Sequence, residues 1–428
     1  MAFLRHDLSQ LAAYQSPHPV AGSQATGGSQ ASLDEPLPLR VDALDTNESP
    51  IDLPETVKAE LAEYYREAIA ANRYPDGTQL ALKQAVTSYV IESAVGLVVE
   101  SADKSTAEPA IDASIKVNGA LGSHLKAKQV AISPANITLG NGSDELIRSV
   151  IMATCLGNHG SILVAAPTFS MYAILANTLG VTVHTVGRSD TFEVDLVAAD
   201  AAIQSAALNG LPIRCVFMVH PNSPTGNALT PRELTWLRQL PEDILIVVDE
   251  AYFEFSGRTT VTDALSRPNW LVTRTFSKAL RLAAHRVGYG IAHSTIIAAL
   301  EKLRLPYNLP SFSQVAAHTA LTHRVQILSQ IPDILAERNR LYQALSDHPY
   351  LQVWPSDSNF LYVRLQANAL SVLEARSQAE GLIKLLGQLK EKGTLVRQTG
   401  GGLRISIGTQ SENQRTLANI QQVLGSKM

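Results

Sequence analysis

Four short apolar runs limit the folds open to this chain more than any other feature: SILVAAP (Ser161–Pro167), CVFMVHP (Cys215–Pro221), DILIVVDEAY (Asp243–Tyr252) and NWLVTRTFSK (Asn269–Lys278). Each is apolar at consecutive positions rather than alternating, the pattern of strands buried on both faces. Helix-like stretches separate them, so we expect an α/β domain with a mostly parallel sheet flanked by helices. Polar, Gly and Pro residues gather where the runs end, at Pro167-Thr168-Phe169, Pro221-Asn222, Asp249-Glu250-Ala251-Tyr252 and Ser277-Lys278. Ligands of open α/β sheets bind beyond the carboxyl ends of the strands, so four run ends point to one site.

A chain of 428 residues exceeds one core of ordinary size. After Pro310 apolar residues recur at three- and four-residue steps through SQVAAHTALTHRVQILSQ and ILAERNRLYQAL. Strand-like segments follow, LQVWPSDSNFLYVRL, GTLVRQ and LRISIGT, the last two around the turn at Gly400-Gly401. These patterns predict a flexible arm over 1–40, a segment over 41–71 joining a small domain, a large domain over 72–310 and a small α+β domain over 311–428. Residues 100–128, rich in Ala, Ser and Lys, read as a surface insertion.

The formal net charge of −4 leaves no basic footprint for nucleic acid. No apolar stretch is long enough to span a bilayer. Cys155 and Cys215 lie in apolar runs and read as buried thiols of a reducing cytosol. The histidines are scattered, with no HExxH or paired CxxC spacing, so no metal is expected. A cytoplasmic protein is expected.

Asp249 closes the run ILIVV, where a carboxylate is costly to bury unless it meets a cation or a protonated ring nitrogen. The plainer alternative is a cap on the following segment. With Tyr252 three residues on, the pair suggests a planar cofactor. Lys278 alone would read as a surface charge. Near Asp249 it fits a lysine that holds a cofactor as a Schiff base, opposite a carboxylate that keeps a pyridinium protonated. Thr275, Ser277 and Arg286 offer hydroxyls and a cation to a phosphate. In ITLGNGSDELIRSVI a strand, a glycine turn and a helix follow one another, with Ser143 expected at the N-cap; the start of a helix favours an anion. Phe169 either covers one face of an aromatic ring or belongs to the core. Arg404 offers a planar fork to a phosphate or carboxylate and Arg397 a second charge, each with a strand-surface role as the alternative. Asn47 and Glu48 of TNESP are expected near the substrate mouth.

The motifs PNSPTG (Pro221–Gly226), DEAY (Asp249–Tyr252) and TFSKALRLAAHRVGY (Thr275–Tyr289) resemble those of the pyridoxal-phosphate aminotransferases of the aspartate-aminotransferase fold. With LDTNESP, RYPDG, LGNGSDEL and LRISIGT the chain is similar to the histidinol-phosphate aminotransferases, from about Leu44 to the C-terminus without the 100–128 insertion. The resemblance implies that Lys278 holds pyridoxal 5′-phosphate, that Asp249 pairs with its ring nitrogen, and that Tyr252 and Asn222 hydrogen-bond its phenolic oxygen. Phe169 would stack on the ring. Ser143 and Asp144, through backbone N–H groups, would hold the cofactor phosphate with Thr275, Ser277 and Arg286. Tyr74 of RYPDG would reach that phosphate from the other subunit of a homodimer, and Arg404 would bind the acidic group of the substrate. Two positions depart from the pattern: Ser223 stands where many relatives have Asn before Pro-Thr-Gly, and Phe169 where Tyr is frequent.

The activity implied is transamination between L-histidinol phosphate and 2-oxoglutarate in histidine biosynthesis, by ping-pong kinetics, with the Lys278 amine moving a proton from the substrate α-carbon. Alternatives of the same fold are an aromatic amino-acid aminotransferase and a phosphothreonine-type decarboxylase. A non-catalytic effector domain of a transcription regulator would want a helix-turn-helix and a basic face, and the N-terminal arm offers neither.

Overall fold

The computed structural model describes residues 41–99, 114–116 and 129–425. The arm expected over 1–40 lies outside the described residues. So does most of the expected insertion at 100–128, within which Ser114–Lys116 pairs antiparallel with Gln129–Ala131.

The described residues of 52–222 and 228–329 form the larger of two compact units. Its sheet has seven strands: β1 (Ile137–Asn141), β2 (Ser161–Ala165), β3 (Val183–Val186), β4 (Ile213–Val219), β5 (Leu245–Asp249), β6 (Trp270–Thr275) and β7 (Val287–Ala292). Their spatial order is β1-β7-β6-β5-β4-β2-β3. The four apolar runs are β2, β4, β5 and β6, and these pair in parallel. Only β7 runs against its neighbours, β1 and β6. Helix α1 (Gly142–Cys155) follows β1 and helix α2 (Met171–Thr178) follows β2.

The consecutive apolar positions are explained by two cores, one on each face of the sheet. Leu163, Val216, Met218, Ile246, Val248 and Val272 pack into one, while Ile162, Val164, Phe217, Val219, Val247 and Leu271 pack into the other. Successive side chains of a strand point to opposite faces, so every position must be apolar when both faces are covered. Each such side chain contributes about 1.5–3 kcal/mol by leaving water.

Residues 41–51, 223–227 and 330–425 form the second unit. Its antiparallel sheet contains β8 (Leu351–Trp354), β9 (Phe360–Leu365), β10 (Arg397–Thr399) and β11 (Gly402–Ser406) in the order β8-β9-β11-β10. Gly400 and Gly401, with φ of 59° and 78°, make the two-residue turn between β10 and β11, a conformation that L side chains resist. Leu341, Leu361, Leu385 and Ile405 are among its core residues. The helical stretch expected after Pro310 is divided into Ser311–Thr322, Arg324–Leu328 and Ile331–Ser346. Pro332 sits in the first turn of the last helix, where its missing N–H has no intrahelical partner to lose. Among the described residues no helix is long and apolar enough to cross a membrane.

One charged pair lies inside the larger unit. Glu250 and Arg274 are 0% and 1% exposed, and Nε and Nη2 of Arg274 donate to Oε2 of Glu250 at 3.0 and 2.9 Å. Thr259 and Thr260 donate to the same carboxylate, and the guanidinium carbon lies 3.6 Å from the centre of the Phe253 ring. Coulomb attraction and a full set of donors offset the desolvation of both ions. Arg274→Leu should therefore lower the unfolding free energy by about 3–5 kcal/mol, while the double change with Glu250→Leu should cost far less. Urea denaturation of the single and double variants tests this, and equal losses would refute it.

Candidate active site

The geometry of the site starts from strand register. Val219 of β4 lies level with Asp249 of β5, and Asp249 with Thr273 of β6. Neighbouring strands are about 4.8 Å apart, so their carboxyl ends form a short row. Beyond that row the chain carries Asn222, Asp249 with Tyr252, and Ser277 with Lys278.

Asp249 is 2% exposed. Its Oδ2 accepts from the Tyr172 hydroxyl at 2.8 Å and its Oδ1 from the Ala251 N–H at 3.1 Å. Among the described residues it forms no ion pair. Burial pushes its carboxyl up to about 6, against the pull of the Tyr172 hydrogen bond. Tyr172, which nothing in the sequence motifs singles out, is fully buried, stacked on Phe217 at 4.7 Å and met edge-on by Phe169 at 5.5 Å. Its only signal is its place three residues after Phe169 in TFSMY. Tyr252 is buried and Lys278 half-buried. Asp144 lies close enough to Asp249 for their charges to interact, and Tyr252 lies close to Tyr172.

A second cluster gathers at the start of α1. Asn141, rather than Ser143, takes the cap position and makes no side-chain cap bond; Ser143 lies in the first turn. Gly142, with φ of +71°, makes the turn. Arg286 has φ of +52°, its carbonyl accepts from the Gly142 N–H at 2.8 Å, and its Nη1 donates to the Ser277 hydroxyl at 3.2 Å. Thr275 in turn donates to Ser277 at 3.0 Å. Asp144 faces Arg286 at 3.4 Å. Burial raises the Asp144 carboxyl while Arg286 and Lys278 pull it down.

Two glycines are required for this approach. A Cβ on Gly142 would lie 2.5 Å from Nη2 of Arg286, and one on Gly288 would lie 2.5 Å from the Ser143 backbone nitrogen. The result is a cation and two hydroxyls set against a helix N-terminus, a donor set that suits a phosphate.

Asn222 is buried, with Nδ2 donating to the Pro167 carbonyl at 3.1 Å and Oδ1 accepting from Thr168 and from Arg188, each at 3.2 Å. Arg188, also absent from the motifs, is half-buried; loss of solvent draws its guanidinium down to about 10, so it stays cationic at neutral pH. Tyr74 stands apart from these clusters, 80% exposed and stacked on Tyr307 at 4.6 Å.

The remaining candidates belong to the smaller unit. Arg404 donates through Nη1 to the Ser223 hydroxyl at 3.0 Å and through Nη2 to the Asp45 carbonyl at 2.7 Å. Arg397 is its directly opposed partner on β10. Like charges so placed repel, which favours an anion between or beside them. Asn47, fully buried with φ of 56°, accepts from the Ser406 hydroxyl at 3.0 Å, and its backbone carbonyl accepts from Asn359.

A family model described as aminotransferase class I and II matches residues 42–420. The chain belongs to that family. Within it, the chain is 48% identical over 420 residues to a histidinol-phosphate aminotransferase of Trichodesmium erythraeum, with 98% of each chain covered. Solved structures of the family share the fold. A histidinol-phosphate aminotransferase from Sinorhizobium meliloti in complex with pyridoxal-5′-phosphate superposes with a TM-score of 0.70 at 22% identity, covering 90% of this chain and 92% of that one. An aspartate aminotransferase from Thermotoga maritima does so with a TM-score of 0.68 at 18% identity, over 90% and 92%. The expected aspartate-aminotransferase fold is borne out.

The Asp249 environment yields a pH test. Its carboxyl titrates near 6 in the folded protein and near 3.8 in the unfolded chain. Between those values the folded state holds more protons, so this group makes stability fall as pH rises, by about 3 kcal/mol in all. In the ligand-free protein the stability advantage of Asp249→Asn over wild type should widen from pH 4 to pH 7 by that order. Urea denaturation across the range reads it; parallel curves would sink the assignment.

Proposed function

We propose that this chain is a histidinol-phosphate transaminase dependent on pyridoxal 5′-phosphate. It moves the amino group of L-histidinol phosphate to 2-oxoglutarate, giving imidazole-acetol phosphate and L-glutamate. The observation that carries the reaction class is Asp249, a buried carboxylate without an ion-pair partner among the described residues, at the strand end next to that of Lys278. The near-full-length identity to curated histidinol-phosphate aminotransferases supports the substrate. The aromatic aminotransferase and decarboxylase readings lack that support.

Pyridoxal 5′-phosphate fits the donor set. A carboxylate held near neutrality by burial suits a protonated ring nitrogen, and the glycine-bounded cradle of Arg286, Ser277 and Thr275 suits a phosphate. When bound, the cofactor supplies an electron sink for the pair left at the substrate α-carbon.

Asp249 would face the ring nitrogen and hold its proton, with Tyr172 fixing the carboxylate. Tyr252 and Asn222 would donate to the phenolic oxygen, and Phe169 would cover one ring face. Ser143 and Asp144 would add backbone N–H groups to the phosphate cradle. Lys278 would hold the cofactor, and its Nζ would take the proton from the substrate α-carbon. Arg404 would bind the acidic group of the substrate, with Arg397 adding charge and Asn47 lying at the substrate mouth. The fork of Arg404, anchored by Ser223 and Asp45, and the repulsion from Arg397 support an anion there.

We further infer a homodimer in which Tyr74 reaches the phosphate of the other subunit; the aromatic ring stacked on Tyr307 in full view of solvent supports this. A cytoplasmic setting is supported by the free thiols of Cys155 and Cys215.

Lys278→Ala should lose turnover by at least about a thousandfold, with glutamate formation as the readout. Arg404→Met should raise KM for the phosphorylated donor by about ten- to a hundredfold. Full turnover by the Lys278 variant would refute the chemistry. Rapid use of phenylalanine with none of histidinol phosphate, or release of CO₂, would refute the substrate.

A further inference from the structure

Behind the glycine turn that opens α1, one amide ties down a carboxylate that would otherwise compete for the same helix end. The first turn of α1 carries two acids, Asp144 and Glu145. Asp144 faces Arg286 at 3.4 Å. Glu145 is turned back to β1, where its Oε2 accepts from the Asn141 N–H. Nδ2 of Asn308 donates to the same carboxylate, at 2.9 Å to Oε2 and 3.2 Å to Oε1, and to the Leu139 carbonyl at 3.2 Å. Asn308 is 163 residues from Glu145, in the loop before the helix Ser311–Thr322, and belongs to none of the motifs.

The Asn308 amide can stand only one way round. An amide is turned over at almost no steric cost, so its orientation comes from its partners. Its Oδ1 accepts from Nε2 of Gln79 at 2.8 Å and from Nη1 of Arg304 at 3.0 Å. A guanidinium donates and never accepts, which fixes the oxygen on the Arg304 side; the Leu139 carbonyl accepts and never donates, which fixes the nitrogen on the side of Glu145. Arg304 is held in turn, its Nε donating to Glu301 at 3.1 Å and its Nη2 to the Gly77 carbonyl at 3.0 Å.

What this orientation does for the site follows from charge. The N–H groups at a helix start attract any acceptor within reach, and an acid in the first turn is the nearest one. Asn141 makes no side-chain cap bond. The first-turn N–H groups are therefore the donors that the cradle offers beside Arg286, Ser277 and Thr275. A Glu145 carboxylate free to swing would cap those groups itself and repel a phosphate. Held by Asn308 and by the Asn141 N–H, it stays on the strand side of the turn.

We propose that Asn308 is a positioning residue that holds the Glu145 carboxylate back against β1 and so keeps the N–H groups that open α1 free for the cofactor phosphate. This rests on the cofactor reading given above. Asn308 touches neither the ring nor the phosphate in this scheme. Its effect is confined to the phosphate end of the cofactor, which separates it from a general loosening of the site.

The test is a double-mutant cycle on the purified full chain stripped of cofactor. It reads the dissociation constants of pyridoxal 5′-phosphate and of pyridoxal, which has the same ring without the phosphate, and the strength with which inorganic phosphate competes with the former. Asn308→Ala should weaken pyridoxal 5′-phosphate and inorganic phosphate about tenfold and leave pyridoxal within about twofold of wild type. In a Glu145→Ala background, where no carboxylate is left to swing, adding Asn308→Ala should move none of the three readings. Should Asn308→Ala not fold, Asn308→Ser is read in the same two backgrounds. It leaves a hydroxyl to the surrounding groups but is too short to hold Glu145 and Arg304 together, and should act in the same direction. Equal weakening of pyridoxal and pyridoxal 5′-phosphate, or a loss that persists without Glu145, would overturn the proposal while leaving the cofactor reading intact. A wild-type protein that develops no visible band with pyridoxal 5′-phosphate would overturn the cofactor reading itself, and this inference with it.

Discussion

The parallel register of β4, β5 and β6 is the constraint on which the rest of the site depends. Pairing continues one residue past the strands, with the His220 N–H donating to the Asp249 carbonyl and the Glu250 N–H to that of Thr273, both at 2.8 Å. Side chains alternate along each strand, so Asp249 and Glu250 must leave the sheet on opposite faces. Asp249 meets Tyr172 on one side, and Glu250 meets Arg274 on the other. A slip of one residue would turn each side chain to the wrong face, burying Glu250 where only neutral donors wait and stranding Arg274. The two apolar cores forbid that slip. Burial of the strands and placement of the acid are thus one requirement.

A second constraint is electrostatic. The guanidinium of Arg286 and the first turn of α1 both present positive charge, and Gly142 and Gly288 exist to let them come together. The left-handed backbone at Arg286 adds a conformational cost of about 1 kcal/mol or more. Folding alone gives no reason to crowd two positive ends at such expense. Asp144 relieves part of it from 3.4 Å, as a partly exposed group whose own carboxyl is raised by burial. An anion with several oxygens, reaching the N–H groups, the guanidinium and the hydroxyls of Ser277 and Thr275, relieves it more fully.

The sequence makes some of this legible because the signals are local. Consecutive apolar runs can only be strands covered twice, and what ends them is visible letter by letter, so β2, β4, β5 and β6 with Asp249 and Lys278 stand out. The reversed strand β7 is not readable in the same way, since VGYGIA is as apolar as its parallel neighbours and its direction is set by the short connection through Arg286. Tyr172 and Arg188 escape for another reason. Each acts by touching a residue distant in sequence, Asp249 from 77 residues away and Asn222 from 34. Neither has a spacing that marks it, and in TFSMY or VGRSD each looks like ordinary core or loop. Ser143 is off by its cap position because the turn is made by the backbone of Gly142 rather than by a capping side chain.

Asp144 and Asp249 show how one site gives two carboxylates different tasks. Both are raised by burial, yet Asp144 has the cations Arg286 and Lys278 to pull it back, and Asp249 has uncharged groups, the Tyr172 phenol, the Ala251 amide and the Thr273 hydroxyl. The two also repel each other, which pushes Asp249 further toward the neutral form. A carboxylate poised near 6 and without a cation is an incomplete ion pair. A heterocycle that brings its own proton completes it, and the gain is large because the surroundings exclude water. The same gain would pull the Asp249 carboxyl back toward the ordinary carboxylate range, so that at pH 7 the proton resides on the ring. At the neighbouring strand end the Asn222 amide is held from both sides, its oxygen by Arg188 and Thr168 and its nitrogen by the Pro167 carbonyl.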